Sequence, residues 1–190
     1  MLLIQSVANR FGSAALAGYT AASKIDFFAI MPYLACSNAL STYTAQNIGA
    51  GRGDRIELGN KACLKLCAAI SVTELAVILL LRNVFLGLFL DSDTASTEAW
   101  ETGSLYMTTM SICYILMGIN STQSGMLRGL GMLKTLFANS IISLAVRVIF
   151  ANVMVSYIGI SCVWLSMPAG WIVSIIFCRI VYCREKSRQQ

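Results

Sequence analysis

The chain has 190 residues, 57% of them hydrophobic and only 12% charged, and its mean hydropathy is +0.70. Soluble domains carry about 25% charged residues, so this chain has too little polar surface to cover itself in water, and lipid is its expected solvent. The net charge of +5 comes from basic residues scattered between apolar blocks without interleaved aromatics, which argues against a nucleic-acid partner and for orientation in a bilayer.

The absence of histidine removes the commonest metal ligand and general base. No nucleophile–base pair emerges either, so neither an enzyme nor a cofactor is expected. The seven cysteines, Cys36, Cys63, Cys67, Cys113, Cys162, Cys178 and Cys183, form no CxxC pair and are odd in number. They read as small buried hydrophobes, with no disulfide framework and no metal site.

A hydrocarbon layer of about 30 Å takes roughly 20 helical residues to cross. On that measure the sequence predicts an all-α, polytopic transmembrane bundle with about five full spans, at 14–48, 57–90, 103–127, 132–157 and 161–183. Residues 1–12 read as the end of a truncated helix, because their short apolar run is followed by Arg10 in the reverse order of a signal peptide. The first span is rich in small residues, among them Ala17, Gly18, Ala21, Ala22 and Ser37, which allow close helix approach. Pro32 falls in its middle, where neighbours have to satisfy the freed backbone. The glycine-rich break at 49–55 has no GK[ST] and no preceding strand, so it is not a phosphate loop.

The second span holds the strongest apolar run, 76–81, and an acidic, Ser/Thr-rich loop follows at 91–102. The third ends at Arg128-Gly129-Leu130-Gly131, and Gly125 with Gly129 forms a close-packing signature. A tight turn at 158–160 separates the fourth span from the fifth, and residues 184–190 form a basic tail. Arg52, Arg55, Lys61, Lys65, Arg128, Lys134, Arg179, Arg184, Lys186 and Arg188 fall on one side, against Arg10 and Arg82 on the other. The positive-inside rule then makes this a multi-pass cell-membrane protein with loops 49–57 and 128–134 and the C-terminus cytoplasmic.

Charges inside apolar spans cost about 2.5–3.5 kcal/mol each on insertion scales and mark a pathway or a pair. Lys24 and Asp26 in the first span, Glu74 in the second and Arg147 in the fourth are the candidates. Lys24 and Asp26 are two residues apart and point to different faces. Asp26 either lines an aqueous cavity and binds a coupling ion or cationic substrate, or forms an interhelical salt bridge with Arg147 or Lys24 that only fixes packing. Neutral polar residues recur in the first span (Ser41, Thr42, Thr44, Gln46, Asn47) and the third (Asn120, Ser121, Thr122, Gln123). They line a polar cavity or bond to their own backbone.

Asn9-Arg10-Phe11-Gly12, the small-residue run 14–19, Lys24-Ile25-Asp26, Pro32 and Gln46-Asn47-Ile48-Gly49-Ala50-Gly51 with Asp54-Arg55 resemble a multidrug and toxic compound extrusion (MATE) transporter at its eighth helix and the loop entering the ninth. Leu127-Arg128-Gly129-Leu130-Gly131 resembles the end of the tenth. The resemblance implies the C-terminal half of a twelve-helix antiporter that exports small organic cations or drugs against sodium or protons. Its partner would be the missing N-terminal half. Lys24, Asp26, Gln46 and Asn47 sit on matching motif positions and join Glu74 and Arg147 as candidate ion or substrate pathway residues. Some members place a coupling carboxylate in the seventh helix, most of which this chain lacks, and others in the tenth, but 103–127 contains no Asp or Glu. The coupling ion is therefore open. The alternatives are a flippase for lipid-linked precursors from the same broad superfamily, and a membrane remnant or scaffold that transports nothing.

Overall fold

A computed structural model describes residues 12–90 and 95–188. The expected helix end at 1–11 and the acidic residues at 91–94 lie outside the described residues. Five helices make up the described residues: α1 (Ser13–Gly49), α2 (Gly53–Gly87), α3 (Thr97–Gly129), α4 (Leu133–Ile158) and α5 (Ser161–Arg188). Among the described residues there is no strand. Helices α2 to α5 are long and apolar enough to cross a membrane, with mean hydropathies of 2.2, 1.2, 2.0 and 1.7 in their most apolar stretches. Helix α1 has 37 residues, about 55 Å at 1.5 Å per residue, and so has the length. Lys24 and Asp26 interrupt its apolar course, and it falls outside that set of four.

The helix ends have local causes. The α1–α2 and α3–α4 turns close in the same way. Gly51 and Gly131 take φ of 67° and 73°, and the next N–H reaches back to a helical carbonyl, Arg52 to Asn47 at 2.8 Å and Met132 to Leu127 at 3.0 Å. This is the Schellman closure, which wants glycine at the left-handed position. Helix α3 starts at Thr97, earlier than the predicted 103. The Ser96 side chain accepts a hydrogen bond from the Ala99 N–H at 3.3 Å, and Glu98 sits in the first turn beside the positive end of the helix dipole.

The buried residues of α1 include Ala15, Gly18, Ala22, Asp26, Tyr33, Ser37, Leu40, Thr44 and Asn47, a stripe at helical spacing. It lies along α3, and the two helices run parallel: Gly18 meets Ala99 and Gly103, Ser37 meets Gly125, and Ser41 meets Gly129. Helix α2 runs antiparallel beside them, with Cys67 at Gly118 and Leu86 at Gly103. Helix α5 packs on α3 through Trp164, whose ring lies 5.4 Å from that of Tyr106. Helix α4 packs chiefly on α5 and buries only Asn139 and Ala151. Its Phe137, Ile141, Ile149 and Tyr157 stand exposed, a surface fit for lipid or another helix and not for water.

Candidate functional site

The stripe of α1 that packs on α3 carries one charge, Asp26, only 6% exposed. Helix α3 meets it with tyrosines. The Tyr114 hydroxyl donates to Asp26 Oδ1 at 2.5 Å, and the Tyr106 phenol lies within electrostatic reach of the same carboxylate. Tyr106 is itself wedged between Tyr19, at 5.6 Å and edge-on, and Trp164.

Two helical turns past Asp26, the same face presents Tyr33. Pro32 has no N–H to give the Phe28 carbonyl, yet α1 continues through it. The Tyr33 hydroxyl donates to Glu74 Oε2 on α2 at 2.7 Å and lies 2.9 Å from Ser71 Oγ. The Tyr33 and Tyr114 rings are 6.3 Å apart, so the Asp26 and Glu74 networks meet across one pair of aromatic rings. A groove of about 300 Å³ between α1 and α2, lined by Ile25, Phe28, Val77, Phe85 and Phe89, has Glu74 in its wall.

Among the described residues neither Asp26 nor Glu74 forms an ion pair. The alternative of a packing salt bridge from Asp26 to Lys24 or Arg147 is therefore corrected. Lys24, two residues from Asp26, points outward, and its Nζ sits 5.2 Å from the centre of the Phe89 ring at the rim of the groove. Arg147 belongs to α4 and lies against Gly170 of α5, where an added Cβ would come 2.7 Å from its Nε. Its helix packs on the far side of α5, away from α1.

Gln46 and Asn47 lie elsewhere as well, about 30 Å along α1 from Asp26 at 1.5 Å per residue. Gln46 is exposed, and its carbonyl accepts the Ala50 N–H at 3.0 Å. The Asn47 amide donates to the Tyr43 carbonyl at 2.8 Å. Both shape the end of the helix. The polar run of α3 splits between two tasks. Thr122 bonds back to the Gly118 carbonyl at 2.8 Å. Asn120 accepts from Ser174 at 2.5 Å, and Ser174 accepts from Asn139 at 2.7 Å, a relay that ties α3, α5 and α4 together.

Of the six candidates, the fold thus joins Asp26 and Glu74, leaves Lys24 at the rim of the Glu74 groove, and sets Arg147, Gln46 and Asn47 apart. Sequence reasoning missed Tyr33, Tyr106 and Tyr114. A usable signal existed: tyrosines in membrane helices gather at the interfaces, so one in mid-span needs a buried partner for its hydroxyl.

The MatE family model matches residues 1–154. The chain is 27% identical over 175 residues to the probable multidrug resistance protein YpnP of Bacillus subtilis (strain 168), an alignment covering 92% of this chain and 38% of that protein. It therefore spans about two fifths of the length of that curated relative. The fold matches the outward-facing conformation of a multidrug resistance MATE family transporter of the MOP superfamily with a TM-score of 0.85 at 24% identity, over 98% of this chain and 43% of that one. It matches the inward-facing conformation of a MATE family transporter of that superfamily equally, with a TM-score of 0.85 at 23% identity, over 97% and 44%.

Proposed function

The chain belongs to the MatE family, whose members are transporters and not enzymes, and from that premise we propose that it takes part in multidrug or organic-cation efflux by secondary antiport against sodium or protons. It would act with a second bundle supplying the N-terminal half. The observation that carries this reading is Asp26: a carboxylate buried in a lipid-facing bundle, held by a tyrosine hydroxyl and, among the described residues, without a fixed cation.

An ionised carboxylate at that depth is costly, and a mobile cation relieves the cost as well as a fixed one does. A proton or a sodium ion can leave, whereas an arginine cannot. A cationic substrate drawn to the same negative charge would compete with the coupling ion, and that competition is the elementary requirement for exchange. Glu74, tied to Asp26 through Tyr33 and Tyr114, adds a second acid on the groove side. The equal likeness to outward-facing and inward-facing folds supports rigid-body rocking of one bundle against another around a fixed site. A flippase cavity would gather cations on a pyrophosphate, and the separation of Lys24 from Arg147 gives that alternative no support.

The test uses inverted membrane vesicles that contain the protein together with a bundle supplying the N-terminal half. A sodium or proton gradient is expected to drive accumulation of a fluorescent organic cation, and Asp26→Asn is expected to lower that uptake at least tenfold. Uptake unchanged by Asp26→Asn would remove the coupling role. Absence of gradient-driven uptake in the unsubstituted protein would favour the non-transporting scaffold.

A further inference from the structure

Three of the seven cysteines, drawn from two helices, converge in the bundle. Cys36 lies on the buried stripe of α1, Cys63 and Cys67 lie one turn apart on α2, and their three sulfur atoms all lie within 4.8 Å of one another. Thr122 of α3 closes the cluster, its Oγ1 3.6 Å from both Cys63 Sγ and Cys67 Sγ. The Cys63 thiol also donates to the Cys36 carbonyl at 3.7 Å. All three thiols are free and buried. Cys36 and Cys63 nevertheless form part of the wall of an open groove of about 580 Å³ between α1 and α2, otherwise lined by residues such as Ala39, Leu40, Tyr43 and Leu58.

We propose that Cys36, Cys63 and Cys67 form a three-thiolate site for a trivalent metalloid, of the class of arsenic(III) hydroxide. Ligand softness restricts the choice to thiophilic centres, and charge then selects among them. Three thiolates around a monovalent or divalent ion leave a net negative charge. Among the described residues no cationic side chain bonds these thiols to offset it, and an unpaired charge within the membrane is costly. A structural zinc site in addition wants a fourth nitrogen, sulfur or carboxylate ligand, and among the described residues the cluster has none.

Around a trivalent centre the complex is neutral. The reaction As(OH)3 + 3 Cys–SH → As(S–Cys)3 + 3 H2O forms three As–S bonds, breaks three As–O bonds, releases three waters and involves no oxidant or reductant. The incoming hydroxide is itself uncharged, so it can reach the thiols through an apolar groove. Thiolate bonds of about 2.3 Å, the value for zinc, place three sulfurs about 4 Å apart or closer. The most widely spaced pair of sulfurs therefore closes by about 1 Å or slightly more, within the reach of cysteine rotamers.

The chain is purified in detergent with a phosphine reductant that offers no competing thiol, titrated with sodium arsenite and weighed by native mass spectrometry. The expected product carries one arsenic and has lost three hydrogens. Cys36→Ser should convert it to an adduct that has lost two hydrogens and keeps one hydroxyl, with affinity lowered at least tenfold, while Cys178→Ser should bind as the unsubstituted chain does. Absence of an adduct, the two-hydrogen form in the unsubstituted chain, or an unaltered three-hydrogen adduct in Cys36→Ser would each overturn the proposal. So would a Cys63–Cys67 disulfide as the only change in mass. Should Cys36→Ser not fold, the hydrogen count on the unsubstituted chain still decides.

Discussion

Tyr114 places its hydroxyl 2.5 Å from Asp26 Oδ1, in a buried bond that joins α3 to α1. A hydrogen bond to an ionised group contributes about 1.5–3 kcal/mol, and a neutral one about 1 kcal/mol. Tyr114→Phe is therefore expected to destabilise the detergent-solubilised chain by about 1.5–3 kcal/mol, measured by denaturant or thermal unfolding. In an Asp26→Asn background, where the acceptor is a neutral amide, the same substitution should cost only about 1 kcal/mol. Equal costs in the two backgrounds would show that the carboxylate is not charged in the folded chain. Asp26 and Glu74 were legible in the sequence because a charge within an apolar run announces its own cost. Their tyrosine partners were not, because a tyrosine carries no such cost until the fold shows which hydroxyl has been buried. The alternative of a salt bridge from Asp26 to Lys24 or Arg147 stayed open in the sequence for the same reason: composition shows that a charge needs a partner but not which helix stands beside it.

Between helices, the contact that fixes α1 against α3 is backbone on backbone. A Cβ added at Gly125 would collide with the Ser37 carbonyl, and one added at Gly129 with the Ser41 carbonyl and Thr44. Gly125→Val is expected to force the two helices apart and to destabilise the chain by about 1–3 kcal/mol or more, seen as a lowered unfolding midpoint. Gly49→Ala, where an added Cβ meets nothing within 4 Å, should leave the midpoint in place. An unshifted midpoint for Gly125→Val would mean that α1 and α3 do not touch at this point. The small-residue spacing marked both helices as able to pack closely, as the runs of apolar residues marked the spans of α2 to α5. The pairing of α1 with α3 was not legible, since hydropathy gives each helix a depth in the membrane and says nothing about its neighbours. The start of α3 was missed for a related reason: Ser96 and Glu98 build the first turns out of polar residues, which a hydropathy reading assigns to the loop.

At the scale of the whole molecule, the parallel course of α1, α3 and α5 collects the basic residues. Helix α5 runs alongside α3, with Trp164 at Tyr106 and Ser174 at Asn120. The C-terminal ends of all three helices, and the Arg52, Arg128 and Lys134 of the turns between, therefore lie at one end of the bundle. Arg128 reinforces this end by donating to Asn38 Oδ1 of α1 at 2.9 Å. At the opposite end Arg82 spends its guanidinium on Thr108 at 3.1 Å, and the acidic Glu98 and Glu101 open α3. Short basic loops are held in the cytoplasm, so this asymmetry predicts one orientation and opposes the other. In intact cells expressing the protein with its native cysteines replaced, cysteine introduced at Gly53 or at Leu130 is expected to resist an impermeant maleimide. Cysteine introduced at Ser96 should react with it, and an epitope appended to Gln190 should bind antibody only after the membrane is opened. Labelling of the Gly53 or Leu130 positions from outside, with Ser96 protected, would invert the bundle. Asp26, which lies nearer the Ser96 end of α1, would then face the cytoplasm, and ion entry would have to be sought from the opposite side.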